Sequence, residues 1–359
     1  MTEEDVSLAK GWREEVCMEK LRICVLGTGR AGTLHAKNFL NQISQSELAA
    51  VVDSAPSQLE KAIGELKGGV PGFASLTEAL KSVAFDAVLI ATSTITHAGL
   101  IEEAARQKKH IFCEKPLAVT LEECRRIIEV VKASKGKFQI GFMRRYDPAF
   151  QEAKHKVEEG LLGEIILIKS TGRGPGLPPE WAWDIRKSNG MLAEVNSHDF
   201  DSIRWLSGSE FKRVYAEAGN FKTPEVKQKY PDFYDHAVVT LRMENGVIGV
   251  VDSSCPAGYG YDARVEILGS KGMIQIGELK NKGVTLCTRE EGLVSSVYRS
   301  WPERFAEAYL AEDRAFVEAI LENRFASPDV YDGLRAVEVV LAANRSIETG
   351  GIQEVKRIL

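Results

Sequence analysis

The chain has 359 residues, 44% hydrophobic and 27% charged, which is long for one domain, comfortable for two, and typical of a soluble globular protein. A formal net charge of −5 with no basic block argues against a nucleic-acid partner. No apolar run approaches the roughly 20 residues that span a bilayer, and the N-terminal stretch 1–20 is charged rather than signal-like, so no membrane association and a cytoplasmic location are expected.

The first predicted element is a buried strand over 21–26, followed by Gly27-Thr28-Gly29-Arg30-Ala31-Gly32, which opens a helix near Ala31. This is the dinucleotide fingerprint in its proper context. The first glycine permits the tight turn, the second lets the backbone approach a pyrophosphate, and the third lets helix and strand pack closely. A second buried strand over 47–52 ends in Asp53, placed where the fingerprint expects an acid that accepts from ribose hydroxyls and repels a 2′-phosphate. NAD is therefore expected over NADP, although Arg30 leaves some NADP use open. A strand over 87–92, a helix over 96–108 and a strand over 110–113 follow. Thr120 and Glu123 form a capping box for a helix reaching about 134, and 138–143 reads as the last strand of a parallel sheet. Such alternation implies an α/β doubly wound Rossmann domain over 21–143. Glu114-Lys115-Pro116 falls at the end of one of its strands, where a lysine can do proton chemistry beside a hydride acceptor.

Beyond residue 143 the pattern changes. Asp147 and Pro148 start a helix that Gly160 ends, and strands then dominate: 164–171, 210–218, 236–243, 247–254, 263–268, 273–276 and 284–288. Asn245-Gly246 marks a hairpin. One helix over about 189–206 interrupts the strands, and two more close the chain near 303–322 and 331–348. The expectation is an α+β domain over 144–359 with a large, mainly antiparallel open sheet whose uncovered face suits a homo-oligomer. On the 189–206 helix, Glu194, His198 and Asp201 are predicted to share a face, with Asp199 pointing away. A carboxylate one turn from a histidine can orient it as a base. No second histidine or cysteine completes a metal set there, so no metal is expected. Six scattered cysteines (Cys17, Cys24, Cys113, Cys124, Cys255, Cys287) read as core residues in a reducing compartment.

Taken together, these elements resemble the glucose-fructose oxidoreductase, inositol dehydrogenase and MocA-type (Gfo/Idh/MocA) oxidoreductases over nearly everything after Lys20. The resemblance rests on the glycine fingerprint, Ala91-Thr92-Ser93 with His97, Glu114-Lys115-Pro116-Leu117-Ala118, and Gly141-Phe142-Met143-Arg144-Arg145-Tyr146-Asp147-Pro148. Residues 190–201, Tyr259-Gly260-Tyr261-Asp262 and Gly269-Ser270-Lys271-Gly272 complete it, and the similarity is greatest to the inositol dehydrogenase branch. What the resemblance implies is an active-site Lys115, a catalytic His198, and Glu194 where inositol dehydrogenases carry an aspartate. It further implies a substrate pocket lined by Met143, Arg144 and Tyr261, with a substrate loop over 173–187 that holds Arg173, Trp181 and Trp183. Tryptophans on such a loop suit stacking on a sugar or an aglycone, or equally a core or subunit contact. Cofactor contacts are expected from Gly27, Thr28, Gly29, Arg30, Ala31, Asp53, Thr92, Ser93, His97, Glu114, Lys115 and Arg144. The implied activity is NAD-dependent oxidation of a secondary hydroxyl of a sugar, inositol-like polyol or glycoside. The alternative is a redox-neutral enzyme with tightly bound NAD that works through a transient keto-sugar.

Overall fold

The computed structural model describes residues 20–359, so the 1–20 extension, apart from Lys20, and Cys17 lie outside the described residues. β1 (Leu21–Leu26) leads into α1 (Arg30–Asn41), β2 (Ser46–Val52), α2 (Pro56–Leu66), β3 (Gly72–Phe73) and α3 (Leu76–Ser82). β4 (Ala87–Ile90), α4 (His97–Arg106), β5 (His110–Glu114), α5 (Leu121–Ala133) and β6 (Phe138–Gly141) complete the unit. The six strands are all parallel, in the order β3-β2-β1-β4-β5-β6. β1 and β4 are adjacent while their connections run to opposite sides, which opens a crevice at the carboxyl ends of the strands. β4 is buried at every position, as a strand covered by helices on both faces must be. The Thr120–Glu123 capping box forms as predicted, satisfying two helix-end donors of α5 reciprocally.

The second unit starts with α6 (Pro148–Glu158), capped by Asp147, and β7 (Ile165–Arg173). The short helices α7 (Ile185–Ser188) and α8 (Gly190–Glu194) follow, then α9 (Ser197–Ser207), β8 (Phe211–Gly219) and α10 (Pro224–Lys229). β9 (His236–Met243), β10 (Ile248–Ser254), β11 (Asp262–Gly269), β12 (Met273–Ile276), β13 (Lys280–Thr288) and β14 (Gly292–Val297) come next. The chain closes with α11 (Trp301–Leu321), α12 (Val330–Thr349) and β15 (Gln353–Glu354). A seven-stranded sheet runs β12-β11-β7-β10-β9-β8-β15, antiparallel except for the β7–β10 pair. Gly246, at φ +92°, turns the β9–β10 hairpin where Asn-Gly predicts it.

One face of this sheet is covered by α9 and the closing helices, with Ile168, Phe200, Ile203, Leu241, Val251 and Val339 in a common core. The other exposes Ile166, Val238 and Leu268. The two halves are not independent. Phe316 and Val317 of α11, and Val330, Leu334 and Val337 of α12, belong to the Rossmann cores, so the last two helices clamp the second unit to the first. Cys24, Cys113, Cys124 and Cys255 are buried, as core cysteines should be, whereas Cys287 is exposed on the β13–β14 hairpin.

The single helix expected over 189–206 is instead two. α8 ends with its C-cap Val195, still in the right-handed helical region at φ −104° and ψ −48°, and Asn196, at φ −98° and ψ 1°, leaves it before α9 begins. Asn196 is fully engaged by its side chain: its amide donates to Asp199 Oδ2 (2.8 Å) and to the Gly172 carbonyl (3.3 Å), and its Oδ1 accepts from Ser253 (2.5 Å). An asparagine tied to surrounding groups in this way competes with the helical backbone.

Candidate functional site

The fingerprint folds for reasons visible atom by atom. Gly27 sits at φ +89°, and a Cβ there would lie 2.5 Å from the Ala91 carbonyl oxygen. At Gly32 a Cβ would lie 1.8 Å from the Gly27 carbonyl oxygen, so only glycine lets α1 start this close to β1. Gly29 caps α1 without a side-chain bond and has open space where a Cβ would be, which leaves the helix terminus free for an anion. Asp53, just past β2, accepts from the Thr28 backbone N–H and hydroxyl, both at 2.8 Å, and from the Ala55 N–H at 2.9 Å. It thus shapes the loop as well as presenting a carboxylate at the edge of the crevice. The open helix terminus, the glycine cradle and the acid together fit a dinucleotide with a free ribose diol.

The candidate reacting groups converge at the same carboxyl edge of the sheet. Lys115 follows β5, its peptide bond to Pro116 is cis, and its ammonium donates to the Glu194 carbonyl oxygen at 2.6 Å. Glu194 closes α8, and its side chain accepts a 2.8 Å hydrogen bond from the Thr94 hydroxyl in the turn after β4. Burial pushes the Glu194 carboxyl up, and Lys115 and Thr94 only partly pull it back. His198 opens α9, 6% exposed, its ring edge-on to Phe142 with centroids 6.0 Å apart. Burial, then the charges of Lys115 and Arg144, hold its imidazole well below the usual range, so it is neutral near pH 7. Its buried Nδ1 has no hydrogen-bond partner.

The sequence and the fold are matched by known proteins. The model of the oxidoreductase family with an NAD-binding Rossmann fold matches residues 21–142, and that of the GFO/IDH/MocA C-terminal domain matches residues 150–275. Myo-inositol 2-dehydrogenase of Thermotoga maritima is 36% identical over 91% of this chain and 96% of its own length. This chain belongs to the Gfo/Idh/MocA oxidoreductase family. An NAD(+)-dependent scyllo-inositol 2-dehydrogenase of Bacillus subtilis is 34% identical over 92% of this chain and 95% of its own. The structure of scyllo-inositol dehydrogenase from Lactobacillus casei with bound NAD(H) and scyllo-inositol superposes with a TM-score of 0.87 at 30% identity, covering 94% of this chain and 99% of that one. The protein is an NAD-dependent oxidoreductase.

Several residues expected to face cofactor or substrate in this Gfo/Idh/MocA chain are turned elsewhere. Glu194 makes no hydrogen bond to His198 Nδ1; its carboxylate accepts instead from Thr94. Asp201, one turn from His198 on α9, is engaged by a two-pronged pair with Arg145 (2.6 and 3.0 Å) that continues to Asp332. Arg144 is 2% exposed, packed against Phe150 and Phe305, and donates to Asp199 at 2.7 Å. Asp199, read as pointing away, is the buried partner: it also accepts from Ser170 at 2.5 Å. Tyr261 is hydrogen-bonded to Arg144. Met143 is buried in the core of the second unit.

His97 is buried beside the Lys115–Pro116 turn, its Nδ1 donating to the Pro116 carbonyl at 2.8 Å and its Nε2 3.2 Å from the Thr92 carbonyl. Glu114 faces His35 inside the protein. Arg30 lies over the Trp301 ring, 5.4 Å from its centroid. Arg173 pairs with Asp252 and, at 3.2 Å, with Tyr259. Strand alternation puts Ser170, Gly172 and Ser253 toward α9, hence Arg173 and Asp252 on the opposite, open face of the sheet. Trp183 packs on Tyr230 and Phe233 and donates to the Pro178 carbonyl at 2.9 Å, while Trp181 stays exposed. Thr92, Ser93 and Ala31 are half-buried at the crevice edge. Sequence reading missed Thr94, whose only local signal is its place after a buried strand, and His35, hidden as one polar residue on an otherwise ordinary helix.

Proposed function

We propose that this chain oxidises a secondary hydroxyl of an inositol-like polyol, with NAD as the exchangeable acceptor. The observation that carries the reading is a lysine ammonium pinned beside a neutral, buried His198 at the carboxyl ends of the Rossmann strands, next to a helix terminus suited to a pyrophosphate. Bound NAD supplies the hydride acceptor. His198, uncharged near neutral pH, takes the hydroxyl proton. Lys115 donates to the substrate oxygen and stabilises the alkoxide charge that develops there, an effect of about 3–4 kcal/mol for one well-aimed donor. Glu194, held by Thr94, presents acceptor oxygens that bind neighbouring hydroxyls of the ring. Phe142 limits access of water to His198.

A polyol is favoured over a glycoside because Trp183 is consumed by its own aromatic cluster, leaving Trp181 alone to stack on an aglycone. The open face of the seven-stranded sheet, with Ile166, Val238 and Leu268 exposed, supports a homo-oligomer built on that face. The test is nicotinamide absorbance of the purified protein, as isolated and with added NAD, across inositols, hexoses, uronates and aryl glycosides. NADH accumulating in proportion to an oxidised inositol supports the reading. Sugar altered without NADH accumulating replaces it with the redox-neutral alternative.

A further inference from the structure

One set of buried ionisable groups takes no part in the steps above. His35 lies one turn into α1, fully buried, with Nδ1 2.6 Å from Asp313 Oδ1 on α11 and Nε2 3.0 Å from Glu114 Oε1 at the end of β5. Asn38 donates to the other Asp313 oxygen at 2.7 Å. The other Glu114 oxygen accepts the backbone N–H of Lys115 at 3.1 Å. An unbroken series of hydrogen bonds thus runs from the helix behind the phosphate loop, through one imidazole, to the residue that carries the reacting ammonium. Because the ammonium is itself held by the Glu194 carbonyl, Lys115 is fixed at both ends.

The freedom of this set is small. Phe112 and Tyr309 flank the His35 ring with centroids 5.3 and 5.5 Å away, so the imidazole has one seat. Gly141, on the neighbouring strand β6, leaves room for Glu114: a Cβ there would lie 3.0 Å from its carboxyl group. Any change that moves the Glu114 carboxylate moves the acceptor of the Lys115 peptide N–H.

We propose that His35 is a positioning residue for Lys115, acting through Glu114. His35 holds one oxygen of Glu114 in place, and the other oxygen then sets the backbone at Lys115 and the reach of its side chain. The proposal rests on Lys115 standing at the reacting centre. An ion pair that served only stability would act equally through Asp313, on the far side of the imidazole.

The test compares three variants of the full chain, His35→Gln, Gly141→Ala and Asp313→Asn. For each, kcat and KM are measured with NAD and the polyol that the wild type oxidises fastest, expressed per NADH-binding site, and the melting temperature is recorded. His35→Gln and Gly141→Ala are expected to lower kcat per site about tenfold or more, since sub-ångström misplacement of a reacting group is felt strongly, with KM for NAD within about twofold of wild type. Asp313→Asn keeps an acceptor for the imidazole and is expected to lower the melting temperature while kcat per site stays within about twofold. The proposal is overturned if His35→Gln and Gly141→Ala leave kcat per site within about twofold, or if Asp313→Asn lowers it as much as they do. Should His35→Gln not fold, Gly141→Ala decides alone, because it displaces the carboxylate without touching the His35–Asp313 pair. Full activity in Lys115→Met would instead refute the reading of the site on which the proposal depends.

Discussion

Replacing Thr94 by valine removes one hydroxyl and almost nothing else. Thr94 is 3% exposed, and its hydroxyl donates to Glu194 Oε1 at 2.8 Å across 100 residues of sequence. Valine keeps the shape, so the carboxylate loses its donor while the surrounding packing stays. A hydrogen bond to a charged group is worth about 1.5–3 kcal/mol, and about 1.4 kcal/mol is a factor of ten, so kcat/KM should fall by about 10- to 100-fold if the bond is fully felt in the transition state. The pH dependence moves with it. Thr94 favours the ionised form of Glu194, and its loss raises further a carboxyl that burial has already pushed up. The acid limb of kcat/KM should therefore shift to higher pH. The assay is the initial rate of NADH formation with the preferred polyol across about pH 5 to 9, with Thr94→Ser as the control that restores the donor. If the valine variant gave a superimposable profile and kcat/KM within about twofold of wild type, Glu194 would not depend on Thr94, and its role as an ordered substrate ligand would be wrong.

His198→Ala should lower kcat by about 10² to 10⁴ while NAD affinity measured by calorimetry stays nearly unchanged. Asp53→Ser should relax the preference for NAD over NADP; because Asp53 also holds the Thr28 N–H and hydroxyl, it should weaken NAD binding by about tenfold as well, which fluorescence titration with both cofactors would measure. Gly32→Ala sets a methyl 1.8 Å from the Gly27 carbonyl oxygen, so the loop must open, and NAD binding in the same titration should weaken by at least about tenfold. Stability should fall as pH rises through the alkaline range. Burial alone would lower the His35 pKa, but Asp313 and Glu114 outweigh it and hold it up to about 10. The unfolded histidine loses its proton near 6.5, so the stabilisation is complete below that pH and is lost as pH climbs through about 10. Thermal melts from neutral to alkaline pH should show this slope in the wild type and a flatter one in His35→Gln.

Whatever depends on a local pattern was legible in the chain alone. The glycine fingerprint announces the β1–α1 turn, Thr120 and Glu123 announce the start of α5, and Asn245-Gly246 announces the hairpin between β9 and β10. Lys115 and His198 are candidates by position and by family resemblance. Their neighbours are not, because each is set by a contact far away in sequence. The periodicity of residues 189–206 is helical, but at the break Asn196 is engaged by Gly172 and Ser253, while Glu194 meets Thr94 and Asp199 and Asp201 meet Arg144 and Arg145. The family resemblance implies a substrate loop that begins at Arg173. Strand alternation sends Arg173 to the other face of the sheet, a one-residue distinction that no composition reveals. The inward partners of His97 and Glu114, the Pro116 carbonyl and His35, likewise come from residues distant in sequence.

In the proposed mechanism Lys115 serves the reacting oxygen at a site where NAD binds independently. Lys115→Met removes the ammonium and preserves much of the stem. Measured together, NAD affinity by calorimetry and NADH formation with the preferred polyol should show affinity within about threefold of wild type and turnover reduced by about 10² or more. Turnover close to wild type in that variant would contradict the account, whatever its effect on NAD binding.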